Sequence, residues 1–227
     1  MSTAETVGVV RSGSALDTKR FAAALAGVCR PGDVLLLVGG LGAGKTTFAQ
    51  GLATGLGVRE RVTSPTFTLV RHYRTGRSEG VVALLHADVY RLEDLAEIED
   101  LALDELVEDG AVAAVEWGER AAPLLGSDAL VVELERDVHG TEVPEGAGAT
   151  RDGVTADGAT ADGATADGAT ADGATADAAI SEGGIPGGVS EDEARTIVLR
   201  AVGPRWQERA GEVADLTADL TGAPNRT

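Results

Sequence analysis

The sequence contains very little of the chemistry that small proteins use for cross-links and metal cages. Only one of its 227 residues is a cysteine, Cys29, which excludes an internal disulfide and a cysteine-based zinc site. So little cysteine is typical of a reducing compartment, and we therefore expect a cytoplasmic protein. The longest purely aliphatic run, Val34–Val38, is far too short to span a bilayer, and nothing before it resembles a signal peptide. We expect no membrane partner.

Basic residues are also scarce. The formal net charge is −18, and only Lys19 and Lys45 are lysines. Residues 141–194 carry twelve acidic residues and one basic residue, so this segment alone contributes −11. Affinity for phosphate backbones needs clustered lysine and arginine. The composition therefore argues against DNA binding and against free-standing, sequence-specific recognition of RNA.

Residues 141–194 differ from the rest of the chain in composition. They include four successive copies of the pentapeptide Ala-Asp-Gly-Ala-Thr, from Ala156 to Thr175, and no aromatic residue. Such a segment buries too little apolar surface to offset an ordering entropy of about 1–2 kcal/mol per residue. We therefore predict a disordered acidic insertion at 141–194 in a single domain formed by residues 1–140 and 195–227. Calcium binding is the weaker alternative, because the pentads lack the large apolar residue of calcium-binding β-rolls.

Outside the insertion, strand and helix patterns alternate. Helices are predicted from Ser14, over 45–56 and around 95–101. The run at 34–38 is aliphatic throughout, as in a strand buried on both faces. The alternation predicts an α/β fold with a mostly parallel central sheet, antiparallel additions and flanking helices in three layers. Together with the glycine-rich motif at residues 39–46, it predicts a fold of the P-loop NTPase type. Strands are predicted at 7–10, 34–38, 67–73, 81–87, 111–116, 130–136 and 196–202, the last two as one hairpin.

The clearest motif is Gly-Gly-Leu-Gly-Ala-Gly-Lys-Thr at residues 39–46, which matches the phosphate-binding pattern G-x-x-x-x-G-K-[ST]. A predicted buried strand precedes it and a predicted helix follows it. Glycines allow several backbone N–H groups to converge on one phosphate, and the helix N-terminus adds partial positive charge. Lys45 is predicted to bridge the β- and γ-phosphates, and the Thr46 hydroxyl to bind magnesium. A glycine-rich turn without a ligand is the alternative.

Two predicted strands lead to acidic residues, Asp88 and Glu116. Because ligands of such sheets bind at the carboxyl ends of the strands, both carboxylates are candidates for holding magnesium or orienting water. Trp117 either fills the core or covers the nucleotide. The only asparagine is Asn225, so the chain lacks the Asn-Lys-x-Asp motif that reads guanine, which favours ATP over GTP.

Hydroxyl side chains surround a proline at residues 63–68, where triphosphatases often place a loop that senses the γ-phosphate. A simple Ser-Pro turn is the alternative. We predict no function for the three histidines, because they lack metal-ligand spacing: His72, His86 and His139. We predict that a basic group lies on a solvated hairpin; it consists of Arg71, Arg74 and Arg77. A contact of this group with RNA or a partner is the weaker alternative.

Four segments together resemble the TsaE family of bacterial ATPases, which are needed for the threonylcarbamoyl modification of the adenosine next to the tRNA anticodon. The resemblance covers about residues 5–136 and 193–203. The four segments occur in the order and spacing of the family: Gly39–Phe48, Ser64–Leu69, Asp88–Leu92 and Val115–Trp117.

The resemblance implies a magnesium-dependent ATPase with slow turnover, and therefore ATP and Mg²⁺ as cofactors. It implies that Asp88 and Lys45 are catalytic, that Thr46 and Glu116 bind the metal, and that residues 64–68 form a switch-like loop. The residues that would bind the nucleotide are Gly39, Gly40, Leu41, Gly42, Ala43, Gly44, Lys45, Thr46 and Thr47.

The resemblance also implies partners. The ATPase would dock on the threonylcarbamoyl-transferase subunit and its companion subunit, of the TsaD and TsaB type, and would reach tRNA only through that complex. Arg195 matches the family's arginine at the start of the last strand, but the insertion interrupts this hairpin. Gly40 departs from the family, which usually has Asp there. Two alternatives stay open, a small-molecule P-loop kinase, although no arginine-rich lid is found, and a nucleotide-dependent binding module without turnover.

Overall fold

The computed structural model describes residues 4–76, 80–137 and 194–221. Nearly all of the predicted insertion lies outside these ranges, so its disorder and the proposed domain division stay predictions. The strands in these ranges are β1 Glu5–Ser12, β2 Val34–Val38, β3 Val70–Arg74, β4 Ala83–Asp88, β5 Ala111–Glu116, β6 Ala129–Arg136 and β7 Arg195–Val202. The helices are α1 Ala15–Leu25, α2 Lys45–Gly55, α3 Leu95–Glu99, α4 Leu103–Glu108, α5 Gly118–Leu125, α6 Pro204–Gln207 and α7 Ala210–Thr221.

The strands form one sheet in the order β1-β7-β6-β2-β5-β4-β3. The four central strands, β6, β2, β5 and β4, are parallel. At one edge β7 pairs antiparallel with β6 and with β1, and at the other edge β3 pairs antiparallel with β4. The predicted parallel sheet with antiparallel additions is confirmed, and so is the hairpin of the last two strands.

Helices cover both faces of the sheet, which explains why β2 is aliphatic throughout. Leu35 and Leu37 belong to a buried cluster that includes Phe48 of α2. Leu36, which points to the opposite face, belongs to a second cluster that includes Ile98 of α3. The sheet therefore has a separate apolar core on each side, and the predicted three-layer architecture is confirmed.

Two predicted elements differ from the structure. The strand predicted at 67–73 begins only at Val70, because the N–H groups of Thr68 and Leu69 both donate to the carbonyl of Pro65 at 2.8 Å and close a turn. The helix predicted around 95–101 ends at Glu99, and a separate helix, α4, begins after Ala102, whose φ of 47° is left-handed. Helices α4, α5, α6 and α7 were not predicted.

Within the described parts of the chain, no helix is both long enough and apolar enough to cross a lipid bilayer.

Candidate functional site

A cavity of about 460 Å³ opens at the carboxyl ends of β2, β4 and β5. Loops of α/β sheets leave at this edge, which brings together residues that are far apart in sequence. The side chains that line it come from the loop after β2, the turn before β3, the segments after β4 and β5, and the start of β7; they include Lys45, Thr46, Ser64, Thr66, Asp88, Glu116, Trp117 and Arg195.

The loop between β2 and α2 has a backbone that few residues other than glycine adopt. The φ angles of Gly39 and Gly44 are 147° and 104°, and a Cβ at Gly39 would collide with the carbonyl oxygen of Leu134. Gly44 is the N-cap of α2 and supplies no side-chain hydrogen bond to the first turn. The N–H groups at this helix terminus are therefore available to an anion, which is the geometry that a phosphate needs.

The ammonium group of Lys45 is tied to the loop that precedes it. The Nζ atom donates hydrogen bonds to the carbonyl oxygens of Gly39 at 2.6 Å and Gly40 at 2.8 Å. It also lies 3.7 Å from the centre of the Trp117 ring, in a cation–π contact. The residue is only 5% exposed. A buried cation is thus held at the floor of the cavity by groups without formal charge.

Burial is the main influence on the pKa of Lys45, and it lowers that pKa below the ordinary value of 10.5. The carboxylates of Glu116, Glu119 and Asp88 act in the opposite direction, with Glu116 the strongest of the three. An anionic ligand in the cavity would act in the same direction as these carboxylates, because negative charge favours the ammonium form.

Thr46 and Glu116 form a direct pair across the cavity. The Thr46 hydroxyl donates to Glu116 Oε1 at 2.7 Å, and the Nε2 atom of His86 lies 2.8 Å from the same oxygen. A hydroxyl that donates its proton in this way keeps its lone pairs for a cation. Among the described residues, no group of three or more His, Cys, Asp or Glu side chains could hold a metal alone. A Mg²⁺ ion here would therefore also need Thr46 and ligand oxygens, as is usual for this ion in phosphate sites.

The sequence predicted no function for His86, because it lacks metal-ligand spacing, and this stays a prediction. The structure places His86, fully buried, in direct contact with a candidate metal ligand, Glu116. A different signal was present in the sequence: His86 stands two residues before Asp88 on one strand, so both side chains lie on the same face. In the β4–β5 register, Asp88 pairs with Glu116, which places all three side chains at one end of the sheet.

Asp88 connects β4 to the turn that precedes β3. Its Oδ2 atom accepts a hydrogen bond from the Thr66 hydroxyl at 2.8 Å, and Thr66 is in turn 2.7 Å from the Ser64 hydroxyl. Its Oδ1 atom accepts from the N–H of Tyr90 at 3.0 Å. The Ser-Pro segment is therefore a turn, as the simpler alternative proposed, and it also contacts the carboxylate of the cavity. Its switch-like role stays a prediction.

Trp117 both packs on the core and lines the cavity, so its two alternative interpretations are compatible. Its ring is half-buried and 4.6 Å from the ring of Tyr90. Its φ of 61° is left-handed, an uncommon conformation for a bulky residue and one that concentrates at functional sites. The loop that carries Tyr90 is held by Arg120, which donates to the carbonyl oxygens of Tyr90 and Leu92, both at 2.6 Å.

Arg195 lies beside the glycine-rich loop at residues 39–46, and Gly40 belongs to that loop. Arg195 is 2% exposed, donates to the Thr18 hydroxyl at 3.2 Å, and borders Gly44. Its assignment at the start of the last strand is therefore compatible with the interrupting insertion. A Cβ at Gly40 would meet no atom within 4 Å, so the first side-chain carbon of the Asp expected from the resemblance would fit at this position.

Of the remaining arginines and histidines considered from the sequence, those that the structure describes do not line the cavity. Arg71, His72 and Arg74 are exposed on the edge strand β3. Arg77 and His139 lie outside the described residues.

A buried parallel strand, a glycine-rich loop, a helix that begins at Lys45 and carboxylates at the neighbouring strand ends define a P-loop protein of the three-layer α/β class. Residues 12–143 match the model of the family described as "Threonylcarbamoyl adenosine biosynthesis protein TsaE". The match covers more than half of the chain, and the chain belongs to the TsaE family.

Relatives with the same description support this membership. The chain is 46% identical over 120 residues to the tRNA threonylcarbamoyladenosine biosynthesis protein TsaE of Bacillus subtilis, an alignment that covers 53% of this chain and 72% of that protein. It is 42% identical over 123 residues to the protein of that name from Treponema pallidum, covering 54% and 87%. Its fold is similar to the crystal structure of Bacillus subtilis YdiB, with a TM-score of 0.56, 26% identity, and coverage of 95% of this chain and 97% of the other.

Proposed function

We propose that this protein binds ATP with Mg²⁺, hydrolyses it slowly, and uses that cycle to support the formation of threonylcarbamoyladenosine in tRNA. Family membership supports the pathway, because the relatives carry that pathway in their names. The single observation that carries the biochemical proposal is the convergence of Lys45, Thr46, Asp88 and Glu116 on one cavity beside a phosphate-shaped loop.

The residues of the cavity have different proposed roles, which follow from the chemistry of their side chains. The loop N–H groups and the Lys45 ammonium bind the phosphates, and Lys45 exchanges the carbonyl oxygens of Gly39 and Gly40 for phosphate oxygens. Thr46 and Glu116 would bind the Mg²⁺ ion that accompanies the nucleotide. Mg²⁺, when bound, neutralises charge on the phosphate oxygens. Asp88 is placed to orient the attacking water or accept its proton, and Thr66 holds this carboxylate in position.

The proposed partners are the threonylcarbamoyl-transferase subunit and its companion subunit, of the TsaD and TsaB type, in the cytoplasm. The described cavity is lined by a glycine-rich loop at a helix N-terminus and lacks a Cys-His nucleophile pair, so its residues suit a nucleotide cycle better than acyl transfer. A protein of this kind acts by changing its contacts with another protein as the nucleotide changes. Contact with tRNA would then be indirect, consistent with the acidic net charge.

The proposal is tested by reconstituting tRNA modification from purified transferase subunits, with and without this protein and ATP. We expect many turnovers only when both are present. Lys45→Ala should lower ATP hydrolysis at least about 100-fold, and this variant should not support tRNA modification in place of the wild-type protein. Arg59→Ala, a cation-to-alanine change at an exposed position after α2, is the matched control and should behave as wild type. Equal modification without this protein would contradict the proposed pathway role. ATP consumption that needs an added hydroxyl compound would instead support the kinase alternative.

A further inference from the structure

The imidazole of His86 is buried inside the site without having a role in the proposed chemistry. It is 0% exposed, and its Nε2 atom lies 2.8 Å from Glu116 Oε1. That oxygen also accepts the hydrogen bond of Thr46. One carboxylate oxygen therefore joins a side chain from the core of β4 to the hydroxyl at the start of α2.

The other ring nitrogen indicates where the proton of His86 lies. Nδ1 is buried and has no hydrogen-bond partner among the described residues. A proton on Nδ1 would be a buried donor without an acceptor, which is costly, whereas a proton on Nε2 is donated to the carboxylate. The favoured tautomer thus makes His86 a donor, and Glu116 Oε1 receives two hydrogen bonds that fix the orientation of its carboxylate.

We propose that His86 is a positioning residue that holds Glu116 in the orientation needed to bind Mg²⁺ with the nucleotide. Donation by His86 keeps Oε1 where it accepts the Thr46 proton, so the lone pairs of the Thr46 hydroxyl stay directed at the cation. Hydrogen-bonded partners of metal ligands commonly contribute in this way, and their loss costs about 10–100-fold in metal affinity or activity. The inference rests on the proposed function, because it assumes that the cavity binds ATP with Mg²⁺.

The hydrogen bond from His86 also keeps Glu116 away from a second possible partner, the ammonium group of Lys45. Lys45 is a buried cation of the same cavity, and among the carboxylates around it Glu116 has the strongest influence on its pKa. If Glu116 were released from His86, its carboxylate would be free to turn away from Thr46 and toward the ammonium group. That rotation would remove the carboxylate from the metal side, whereas the phosphates of bound ATP would keep the ammonium group. The His86 hydrogen bond therefore keeps Glu116 available for the metal ion.

Three substitutions at His86 separate positioning from packing. His86→Leu removes the donor and keeps most of the apolar volume. In His86→Gln the amide nitrogen reaches the place of Nε2 and can donate to Glu116. In His86→Asn the same amide stands one methylene shorter, near the place of Nδ1, and cannot reach Glu116. The Gln and Asn variants form a matched pair, because they differ in reach and carry the same functional group.

The measurement is the affinity for ATP by titration calorimetry, once in excess Mg²⁺ and once in EDTA, with thermal unfolding of each free variant as the check on folding. For the Leu and Asn variants we expect the gain in affinity from Mg²⁺ to fall about 10-fold, with binding in EDTA within about 2-fold of wild type. The Gln variant should retain most of the gain. If the Leu variant is unfolded, the comparison of Gln with Asn decides.

The outcomes separate the inference from the function that it assumes. A wild-type protein without any Mg²⁺-dependent gain in ATP affinity overturns both. A normal wild-type gain that the Leu and Asn variants also keep overturns the positioning role alone. An equal loss of affinity in Mg²⁺ and in EDTA, with no difference between Gln and Asn, also overturns it, because a defect in packing would weaken both kinds of binding.

Discussion

The Lys45 ammonium group lies 3.7 Å from the centre of the Trp117 ring, although the two residues come from different strand-to-helix connections. The contact places the indole against the group that is expected to move when phosphate binds. Lys45 is held there by two carbonyl oxygens of its own loop. Trp117 is therefore in a position to report the nucleotide state of the site.

We expect ATP binding to change the intrinsic fluorescence of the protein, because Lys45 leaves the indole for the phosphates. The chain has only two tryptophans, and the other one, Trp206, is fully buried in α6. The Trp117→Phe variant should lose the ATP-dependent signal while it still binds the nucleotide by calorimetry. An unchanged signal in this variant would assign the change to Trp206 and contradict the role of Trp117.

The lowered pKa of Lys45 predicts how stability depends on pH. Between the lowered folded-state pKa and the ordinary value of 10.5, the unfolded chain binds more protons than the folded chain, so the contribution of Lys45 to stability becomes more favourable as pH rises. In Lys45→Met this contribution is absent. We therefore expect the melting temperature of wild type, relative to Lys45→Met, to increase as the pH approaches 10.5. A difference that does not vary with pH would contradict the burial effect on Lys45.

Asp88 and Glu116 should differ in what their removal changes. Asp88→Asn should lower ATP hydrolysis by about 100-fold or more with little effect on nucleotide binding, because it removes a group that acts on water. Glu116→Gln should also lower hydrolysis, but it should shift the Mg²⁺ concentration needed for half-maximal binding, because Glu116 contacts Thr46. Hydrolysis measured across a magnesium titration checks both. Wild-type turnover in both variants would contradict the assignment of these carboxylates.

Deletion of residues 145–188, with a short Gly-containing turn in their place, should preserve folding and ATP binding. The hairpin is already closed by the described residues: Arg136 pairs with Arg195, and the N–H of Asp137 donates to the carbonyl of Ala194 at 2.9 Å. The entropy of closing a loop depends only weakly on its length, so a shorter connection suffices. A fall of several degrees in the melting temperature of the deletion variant would show that the segment stabilises the domain.

Much of the fold, the glycine-rich loop and the strand-end carboxylates could be predicted from patterns of neighbouring residues. The loop at residues 39–46 was predictable because its glycines, Lys45 and Thr46 are consecutive, and the aliphatic run of β2 placed it after a buried strand. Asp88 and Glu116 were predicted at the ends of strands because each ends or follows a mostly apolar run in the sequence. The strand predicted at 67–73 was begun too early because Phe67 and Leu69 fit a strand pattern, whereas backbone hydrogen bonds to Pro65 decide the conformation.

The sequence by itself therefore determined the strands, the glycine-rich loop and the strand-end carboxylates, because each depends on residues that are neighbours along the chain. Only the tertiary structure decided which side chains meet. The parallel register of β4 and β5 brings His86 to Glu116, and the packing of α2 against the same sheet edge brings Thr46 to that carboxylate. The fold of β7 against β6 carries Arg195 to Thr18, 177 residues away. Such contacts depend on strand register and helix packing, which are set by the burial of many side chains at once and have no local signature.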